Sequence, residues 1–455
     1  MHLAVALAVS AVAGWAPARW ASADPKTLEL LAETPINCLL LERSNFSAEF
    51  ARQAAGRGVT TLGVIRPEGE PLAAARQAIQ AGLDGVALEG AFDRATLDTI
   101  REAAAGVRRV MVELPPRRLL RLEGGAALIG TCQGLWPGIH VEEAGAVKAR
   151  PTGGPWIDTN SGFLRFVRAL TDAPVWIANV PPAKTVLPVD RYLQAVADAA
   201  MLGARWVVAL DEDFNRRLLA RQAAALKDWR RIGAHLRFFE EHPEWRALKP
   251  YSLLAFVQEP DAGALLSGGI LDMLGGRHIP VRPLSRPALS AGAVKGLKMA
   301  VTVDPGALTS EQKEALRSVA RSGGMLLNGP PGWKLPLPKG DEITLDKAEL
   351  ARVDEVWQGI NGVIGRGNFG ARLFNVSSML SSLLGEADGS LIVLHLVNYS
   401  NYPVESITVQ LLGKYKRARL YAPERAAEEL ELYPAAEGTG VDIDRVVVCA
   451  TLVLN

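Results

Sequence analysis

The sequence has few cysteines, no excess of charge of either sign and few histidines, and each scarcity removes a class of function. The three cysteines, Cys38, Cys132 and Cys449, are too widely spaced for a disulfide framework or a zinc site. Fifty Lys and Arg stand against 49 Asp and Glu without a basic block, so nucleic acid is not an expected partner. No second histidine lies at ligand spacing from His140, and we expect no metal and no cofactor.

The first residues have the layout of a secretory signal peptide. An apolar run from Leu3 to Trp15 precedes the small-x-small triplet Ala21-Ser22-Ala23, which predicts removal of residues 1–23. Only His2 could carry charge before the run, so an uncleaved anchor is the open alternative. No later stretch reaches the roughly 20 apolar residues of a spanning helix. We therefore expect a secreted or periplasmic chain that is free of the membrane after cleavage.

Short apolar runs alternate with amphipathic segments from Ile36 onward, which indicates βαβ units and a parallel sheet. Eight such strands within about 250 residues predict a closed (β/α)8 TIM barrel over residues 24–248. No Gly-rich phosphate fingerprint follows the first strand, which argues against a dinucleotide-binding sheet. The predicted strands are Ile36–Leu41, Thr60–Ile65, Gly85–Leu88, Arg109–Val112, Ala127–Thr131, Pro155–Ile157, Val175–Ala178 and Arg205–Leu210.

Three further segments follow the predicted barrel. Residues 249–335 contain the strands SLLAFVQEP, IPVRPLS and LKMAVTVDP with helices at Ala262–Leu274 and Ser310–Arg321, which predicts a small α/β domain. Residues 336–388 are a predicted connector with helical patches. From residue 389 to 455, runs such as LIVLHLVNYS have period-two patterning, which predicts an antiparallel β-sandwich.

This domain order resembles that of the family 42 β-galactosidases and related bacterial glycoside hydrolases. Two motifs carry the resemblance: GGMLLNGPPGW at the end of the middle domain and LVNYSNYPVESITVQLLGKYKRARLYAPE in the last one. It covers nearly the whole mature chain. It implies an amidotransferase-like middle domain that lacks the cysteine nucleophile and helps to build a homo-oligomer. Consistently, no cysteine falls between Tyr251 and Trp333.

The chain departs from these relatives in its catalytic pattern. The galactosidases carry an Asn-Glu acid/base pair after the fourth strand and a Glu nucleophile after the seventh. Here Glu113 follows the fourth predicted strand but is preceded by Val112, and the seventh ends in Ala178-Asn179-Val180 without a carboxylate. The two-glutamate mechanism is therefore not carried over intact.

Barrel enzymes place their catalytic groups at the carboxyl ends of strands. Glycosidic cleavage needs one carboxylic acid and one carboxylate, and we predict Glu113 and Asp158 as this pair, because α-galactosidases place their acids after strands four and six. The structural alternative is that these acids cap loops and helices, with Asp158 opening an Asx turn. The predicted substrate-binding residues are Glu42, Glu89, Trp136, Asn160, Asn179 and Asp211.

Aromatic faces stack on sugar rings, and Trp136, between Gly134 and Pro137, is the predicted platform. Trp156 and Trp176 fall within predicted strands and are better explained by core packing. The leading hypothesis is a secreted glycoside hydrolase acting on an oligosaccharide or glycoside. A non-catalytic carbohydrate-binding pseudoenzyme is the alternative, because the seventh strand lacks a carboxylate. A purely structural role in an oligomer is the third.

Overall fold

The computed structural model describes residues 12–105, 110–120, 127–142, 144–149, 154–258, 271–272, 274–303, 305–328, 346–365, 370–436 and 438–455. The chain forms two compact units. One contains Met1–Trp136 and Asp172–His242, and the other contains Pro137–Thr171 and Pro243–Asn455. Within the described ranges, no helix combines the length and apolarity needed to cross a bilayer.

The strands, in chain order, are β1 (Pro17–Trp20), β2 (Cys38–Leu41), β3 (Thr60–Ile65), β4 (Gly85–Glu89), β5 (Val110–Leu114), β6 (Ile129–Thr131), β7 (Gly138–Ile139), β8 (Ile157–Asp158), β9 (Val175–Ile177), β10 (Ala204–Trp206), β11 (Lys249–Pro250), β12 (Leu254–Gln258), β13 (Arg282–Ser285), β14 (Met299–Thr302), β15 (Met325–Asn328), β16 (Ala371–Phe374), β17 (Met379–Gly385), β18 (Ile392–Asn398), β19 (Val404–Leu412), β20 (Ala418–Tyr421), β21 (Glu428–Leu430), β22 (Leu432–Ala435), β23 (Gly438–Val446) and β24 (Cys449–Leu454).

The α-helices whose bounds the structure describes are α1 (Ala48–Ala55), α2 (Pro71–Gln80), α3 (Arg94–Ala105), α4 (Ser161–Leu170), α5 (Val189–Ala200), α6 (Glu212–Leu219), α7 (Ala223–Glu240), α8 (Pro243–Ala247), α9 (Ser310–Arg321) and α10 (Lys347–Ile364). Short 3-10 helices occupy Pro25–Leu31, Arg43–Asn45, Arg117–Leu119, Arg286–Ala288 and Pro305–Ala307.

Two parallel sheets form the first unit, with strand orders β1-β2-β3-β4-β5 and β10-β9-β6. Hydrogen bonds link them at both edges. At one edge Ala18 forms a parallel bridge with Val208, and the Arg19 amide donates to the Val208 carbonyl over 2.7 Å. At the other edge the Cys132 amide donates to the Pro115 carbonyl over 3.2 Å. Both edges of each sheet therefore meet the other sheet.

One face of these strands is buried in a common apolar core, because every second side chain of a strand points the same way. The core residues on the strands and directly after them include Cys38, Leu40, Leu62, Val64, Ala87, Val112, Leu114, Trp176, Ala178 and Val207. The opposite face packs on helices. At Gly63 an added Cβ would lie 2.8 Å from the Ala78 Cβ of α2 and 2.8 Å from the Phe46 ring, so this contact needs glycine.

Two strands differ from those predicted from sequence. Strand β1 lies within the predicted leader of residues 1–23, because its four residues closely follow the apolar run from Leu3 to Trp15 on which the leader was predicted. The prediction of a parallel strand at Pro155–Ile157 was wrong, since Ile157–Asp158 pairs antiparallel with Gly138–Ile139 in the second unit. The number of parallel strands in the first unit is still eight, over the residues that the structure describes.

The second unit contains a parallel sheet with strand order β13-β12-β14-β15. Helix α9 has the bounds predicted from sequence, and most of the predicted helix at Ala262–Leu274 lies outside the described residues. Helix α10 falls in the predicted connector. Its Ile360 and Ile364 are buried with Phe256 of β12, so this helix belongs to the α/β core.

Two antiparallel sheets, β11-β17-β18-β24-β20-β21 and β16-β19-β23-β22, share one apolar core and form the predicted β-sandwich. It begins earlier than residue 389, because Ala371–Phe374 and Met379–Gly385 are two of its strands. All seven residues of Met379–Gly385 are buried, so this strand lacks the period-two alternation on which the boundary was predicted.

Candidate functional site

Four charged side chains form an ion network at the carboxyl ends of strands β1 to β4. Arg19 lies in β1, Glu42 follows β2, Arg66 follows β3 and Glu89 ends β4. Arg66 contacts Glu42 through two nitrogens, at 2.7 and 2.8 Å, and its Nη2 lies 3.0 Å from Glu89 Oε2. Arg19 Nη1 lies 3.3 Å from Glu42 Oε1, and Arg19 also pairs with Glu89. Each carboxylate therefore contacts both guanidinium groups.

The register of the sheet explains why these side chains meet. Arg19 is paired with Leu40 and Glu89 with Leu114, and both leucines belong to the inner core, so Arg19 and Glu89 share its face of the sheet. The side chains of Arg19 and Glu89 are 10% and 12% exposed, whereas those of Arg66 and Glu42 are 43% and 41% exposed. The network therefore has a buried inner pair and a solvated outer pair.

The arginines keep the outer carboxylate ionised. Partial burial raises the pKa of Glu42, but the hydrogen bond and charge of Arg66, together with the charge of Arg19, outweigh it and lower that pKa overall. The hydrogen bond from Arg66 to Glu42, against a smaller effect of burial, raises the pKa of the guanidinium. Two positive and two negative groups balance, so the network carries no net charge. Glu42 is thus an acceptor of hydrogen bonds rather than a proton donor.

Cys132, which follows β6, is electrostatically coupled to this network. Burial, and next the charge of Glu89, raise the pKa of its thiol to about 11, so it remains protonated near neutral pH and is a weak nucleophile. The sequence prediction did not include Cys132, Arg19 or Arg66 as site residues. One signal pointed to Arg19: a signal peptide carries its positive charge before the apolar run, and this arginine comes after it.

Glu113 does not face the inner core. Its neighbours Val112 and Leu114 do, so the alternation of β5 directs Glu113 to the opposite face. There Glu113 Oε1 lies 2.6 Å from Nη2 of Arg101 in helix α3, and both side chains are about two-fifths exposed. In place of the predicted catalytic carboxylate at the inner rim, the structure has a solvated ion pair between a strand and its covering helix.

Asp158, the other predicted catalytic residue, lies in the second unit. Its Oδ1 accepts a hydrogen bond of 3.1 Å from Trp156 Nε1, and its Oδ2 lies 3.2 Å from His140 Nδ1. The backbone carries the same pairing, because the His140 amide donates to the Trp156 carbonyl over 2.8 Å. Asn160 is buried directly before helix α4. Glu113 and Asp158 thus belong to different units of the chain.

Asp211 is a buried helix cap. Its side chain accepts hydrogen bonds from the Phe214 amide at 2.8 Å, the Tyr192 hydroxyl at 2.7 Å and the Leu187 amide at 3.1 Å. Both carboxylate oxygens are therefore engaged by the protein, and this favours the capping alternative over the predicted contact with a sugar hydroxyl.

Trp136 and Asn179 occupy the same part of the first unit. The Trp136 ring packs edge-on against Trp206 and Tyr192, with centroids 5.0 and 5.5 Å apart, and its Nε1 donates to the Val180 carbonyl at 3.1 Å. Asn179 Nδ2 donates to the Gly134 carbonyl at 2.6 Å. Trp136 is half-buried, so only part of its ring remains for a ligand. Trp176, as predicted, is a core residue.

Within the described ranges, no group of three or more His, Cys, Asp or Glu side chains is placed to hold a metal ion.

The sequence matches no protein-family model and no curated protein. Among solved structures, alpha-L-fucosidase isoenzyme 2 from Paenibacillus thiaminolyticus has a TM-score of 0.62 at 11% identity, over 97% of this chain and 99% of that one. An exo-carrageenase GH42 from Bacteroides ovatus gives 0.44 at 10% identity, over 79% and 54%. A GH42 beta-galactosidase from G. stearothermophilus gives 0.42 at 9% identity, over 90% and 66%. The first likeness shows that this chain shares the fold of that fucosidase.

Proposed function

We propose that this chain is an exported protein of the glycoside hydrolase fold that binds an oligosaccharide or glycoside without hydrolysing it. We infer that the eight parallel strands of the first unit, which are linked at both edges, form a (β/α)8 barrel. Ligands of such barrels bind at the carboxyl ends of the strands. The observation that carries the proposal is the ion network at those ends, in which each of the two carboxylates contacts both arginines.

The corrected strand count changes which residue stands where the family 42 relatives have their acid/base. With β1 as the first strand, the fourth strand ends at Glu89 instead of preceding Glu113. The residue before it is Leu88, where the relatives have Asn. The seventh strand is still Val175–Ile177, and Asn179 follows it. A glutamate, Glu89, thus stands at the fourth-strand position, and an asparagine, Asn179, stands at the seventh-strand position.

This pair of groups is poorly suited to cleavage. A general acid must hold a proton near neutral pH, which requires an environment that raises its pKa. Both oxygens of Glu89 instead accept hydrogen bonds from guanidinium groups, Oε1 from Arg19 and Oε2 from Arg66, which is the arrangement of an acceptor rather than of a proton donor. An asparagine side chain is neutral and has no carboxylate to attack the anomeric carbon or to activate water.

The same arrangement suits a neutral sugar. The network has no net charge, so it neither attracts nor repels ions strongly, yet its outer pair, Glu42 and Arg66, is about two-fifths exposed. A carboxylate offers acceptors and a guanidinium offers donors, which together match the hydroxyl groups of a sugar ring. The exposed part of Trp136 adds apolar surface of the kind that contacts pyranose rings.

The proposal is tested by binding and turnover on the same protein. Calorimetry against a panel of plant and microbial oligosaccharides is expected to give saturable binding, and the matching chromogenic glycosides are expected to release no aglycone. The substitution Glu42→Gln should weaken binding by roughly 10- to 100-fold, since it removes a charged acceptor. Glu113→Gln is the matched control and should leave binding unchanged.

Two results would overturn the proposal. Release of aglycone that disappears in Glu89→Gln would identify a hydrolase that uses the fourth-strand carboxylate. Absence of binding across the whole panel, for a protein with a cooperative unfolding transition, would remove carbohydrate as the ligand.

A further inference from the structure

The segment around β1 is held in the first unit by contacts of both backbone and side chains. Asn37 Nδ2 donates to the Gly14 carbonyl at 3.0 Å, and Asn37 Oδ1 accepts from the Ala16 amide at 2.8 Å. The indoles of Trp15 and Trp20 are buried. The chain is therefore part of the fold well before the predicted start of the mature protein at Asp24, and the side chain of Val12 is also buried in the core of the first unit.

Strand β1 also completes the ring of strands. It pairs along its whole length with β2, from Pro17 opposite Cys38 to Trp20 opposite Leu41, and its other edge reaches Val208. A chain that began at Asp24 would have two unpaired strand edges, β2 and β10, at this place. It would also lack Arg19, one of the two cations of the ion network.

We propose that export processing cleaves the bond between Ala13 and Gly14 and not the bond after Ala23. One of the small-x-small triplets of the sequence, Ala11-Val12-Ala13, ends at this bond. Before this triplet, the eight residues from Leu3 to Ser10 form an apolar region whose length lies within the usual range of about 7 to 15 residues. Cleavage adds one water across the bond, which leaves a carboxylate on Ala13 and an ammonium group on Gly14.

The product of this cut keeps almost every contact of the segment. Ala13 and Gly14 are exposed, so the new ammonium group faces water. The losses are the side chain of Val12 in the core, the hydrogen bond of 3.1 Å from the Trp15 amide to the Val12 carbonyl, and the contact of 2.8 Å from Arg205 Nη1 to the Ala13 carbonyl. Strand β1, both tryptophans and Arg19 remain. The inference rests on the proposed export and is independent of the proposed ligand.

The test is the first residue of the processed protein. The full chain, with a tag at its carboxyl end, is produced in a bacterium with its own leader, and the extracytoplasmic fraction is examined by intact mass and N-terminal sequencing. Gly14 is the expected first residue. A chain that begins at Asp24, or one that keeps its leader, would overturn the inference.

Two variants locate the cut independently. Ala13→Leu places a large residue next to the proposed bond and should cause the precursor to accumulate, whereas Ala23→Leu should be processed like the parent chain. The opposite pattern would contradict the inference. Carbohydrate binding is measured on a chain that begins at Gly14 and is made without export, so a failure of ligand binding is seen separately from a failure of processing.

Stability supplies a further readout. Two chains made without export, one beginning at Gly14 and one at Asp24, should differ sharply in the thermal unfolding of the first unit. The first is expected to unfold in a cooperative thermal transition, and the second to lose that transition in the first unit. Equal transitions for the two chains would refute the role given to β1.

Discussion

Replacement of Arg19 by methionine tests whether the ion network stabilises the first unit. The side chains of Arg19 and Glu89 are about nine-tenths buried, so the substitution leaves a nearly buried carboxylate with Arg66 as its remaining partner in the network. Methionine keeps an unbranched apolar stem in place of the arginine stem, so the change acts mainly on charge and hydrogen bonding.

The expected loss follows from burial. Removal of one partner from a buried ion pair costs roughly 3–5 kcal/mol, and the retained contact with Arg66 puts the expectation near the lower end, at about 3 kcal/mol. For a unit of about 200 residues this corresponds to a fall in Tm of roughly 6–12 °C. The solvated pair of Arg101 and Glu113 should contribute at most about 1 kcal/mol.

The assay compares Arg19→Met with Arg101→Met, since both remove an arginine from an arginine–glutamate pair. Thermal and urea unfolding are followed by tryptophan fluorescence. A loss for Arg19→Met no larger than that for Arg101→Met would refute the reasoning from burial. The double change Arg19→Met with Glu89→Gln should recover part of the loss, because it removes the uncompensated charge.

Three further expectations concern other parts of the fold. Burial lowers the pKa of His235 to about 4, whereas a histidine in the unfolded chain has a pKa near 6.5. The stability that neutral His235 contributes should therefore be complete above about pH 6.5, and the free energy of unfolding should fall by about 3 kcal/mol toward pH 4. Urea unfolding of His235→Asn should lack this loss. Gly233→Ala should lower Tm, because the added Cβ would lie 2.9 Å from the Glu33 carbonyl. The added Cβ of Gly359→Ala meets nothing within 4 Å, so calorimetry should show a free energy of unfolding that is higher by up to about 1 kcal/mol. Asp211→Ala should cost about 1–2 kcal/mol in urea unfolding through loss of the helix cap.

Local signals predicted part of the fold correctly. Helix α9 was predicted over Ser310–Arg321, and the capping box between Thr309 and Gln312 explains why its first turn is readable from sequence. Strand β1 was missed because it closely follows an apolar run that suits a signal peptide, and only its pairing with β2 shows that it belongs to the fold. Pairing between distant segments is not encoded in any short window of sequence.

The sequence predicted that certain carboxylates lie at strand ends, but it did not predict which side chains they contact. Glu42 and Glu89 were expected at strand ends and are found there. Glu113 was expected at the same rim. Its neighbours Val112 and Leu114 point inward, however, so the alternation of side chains along the strand places Glu113 on the opposite face. The role of Arg19 required knowledge that β1 lies beside β2. The residue types at the strand ends can thus be predicted from sequence, whereas the direction of each side chain and the identity of the neighbouring strand cannot.

The first unit is interrupted along the chain by residues 137–171, which fold with the second unit. A ribosome therefore releases six parallel strands, then 35 residues that belong elsewhere, and only afterwards β9 and β10. The bridge between Ala18 and Val208 joins residues 190 positions apart, so this edge of β1 cannot pair until nearly half of the chain has been synthesised. Nascent chains of this protein should expose an unpaired β1 edge during that interval, which makes chaperone contact most valuable before residue 208 emerges.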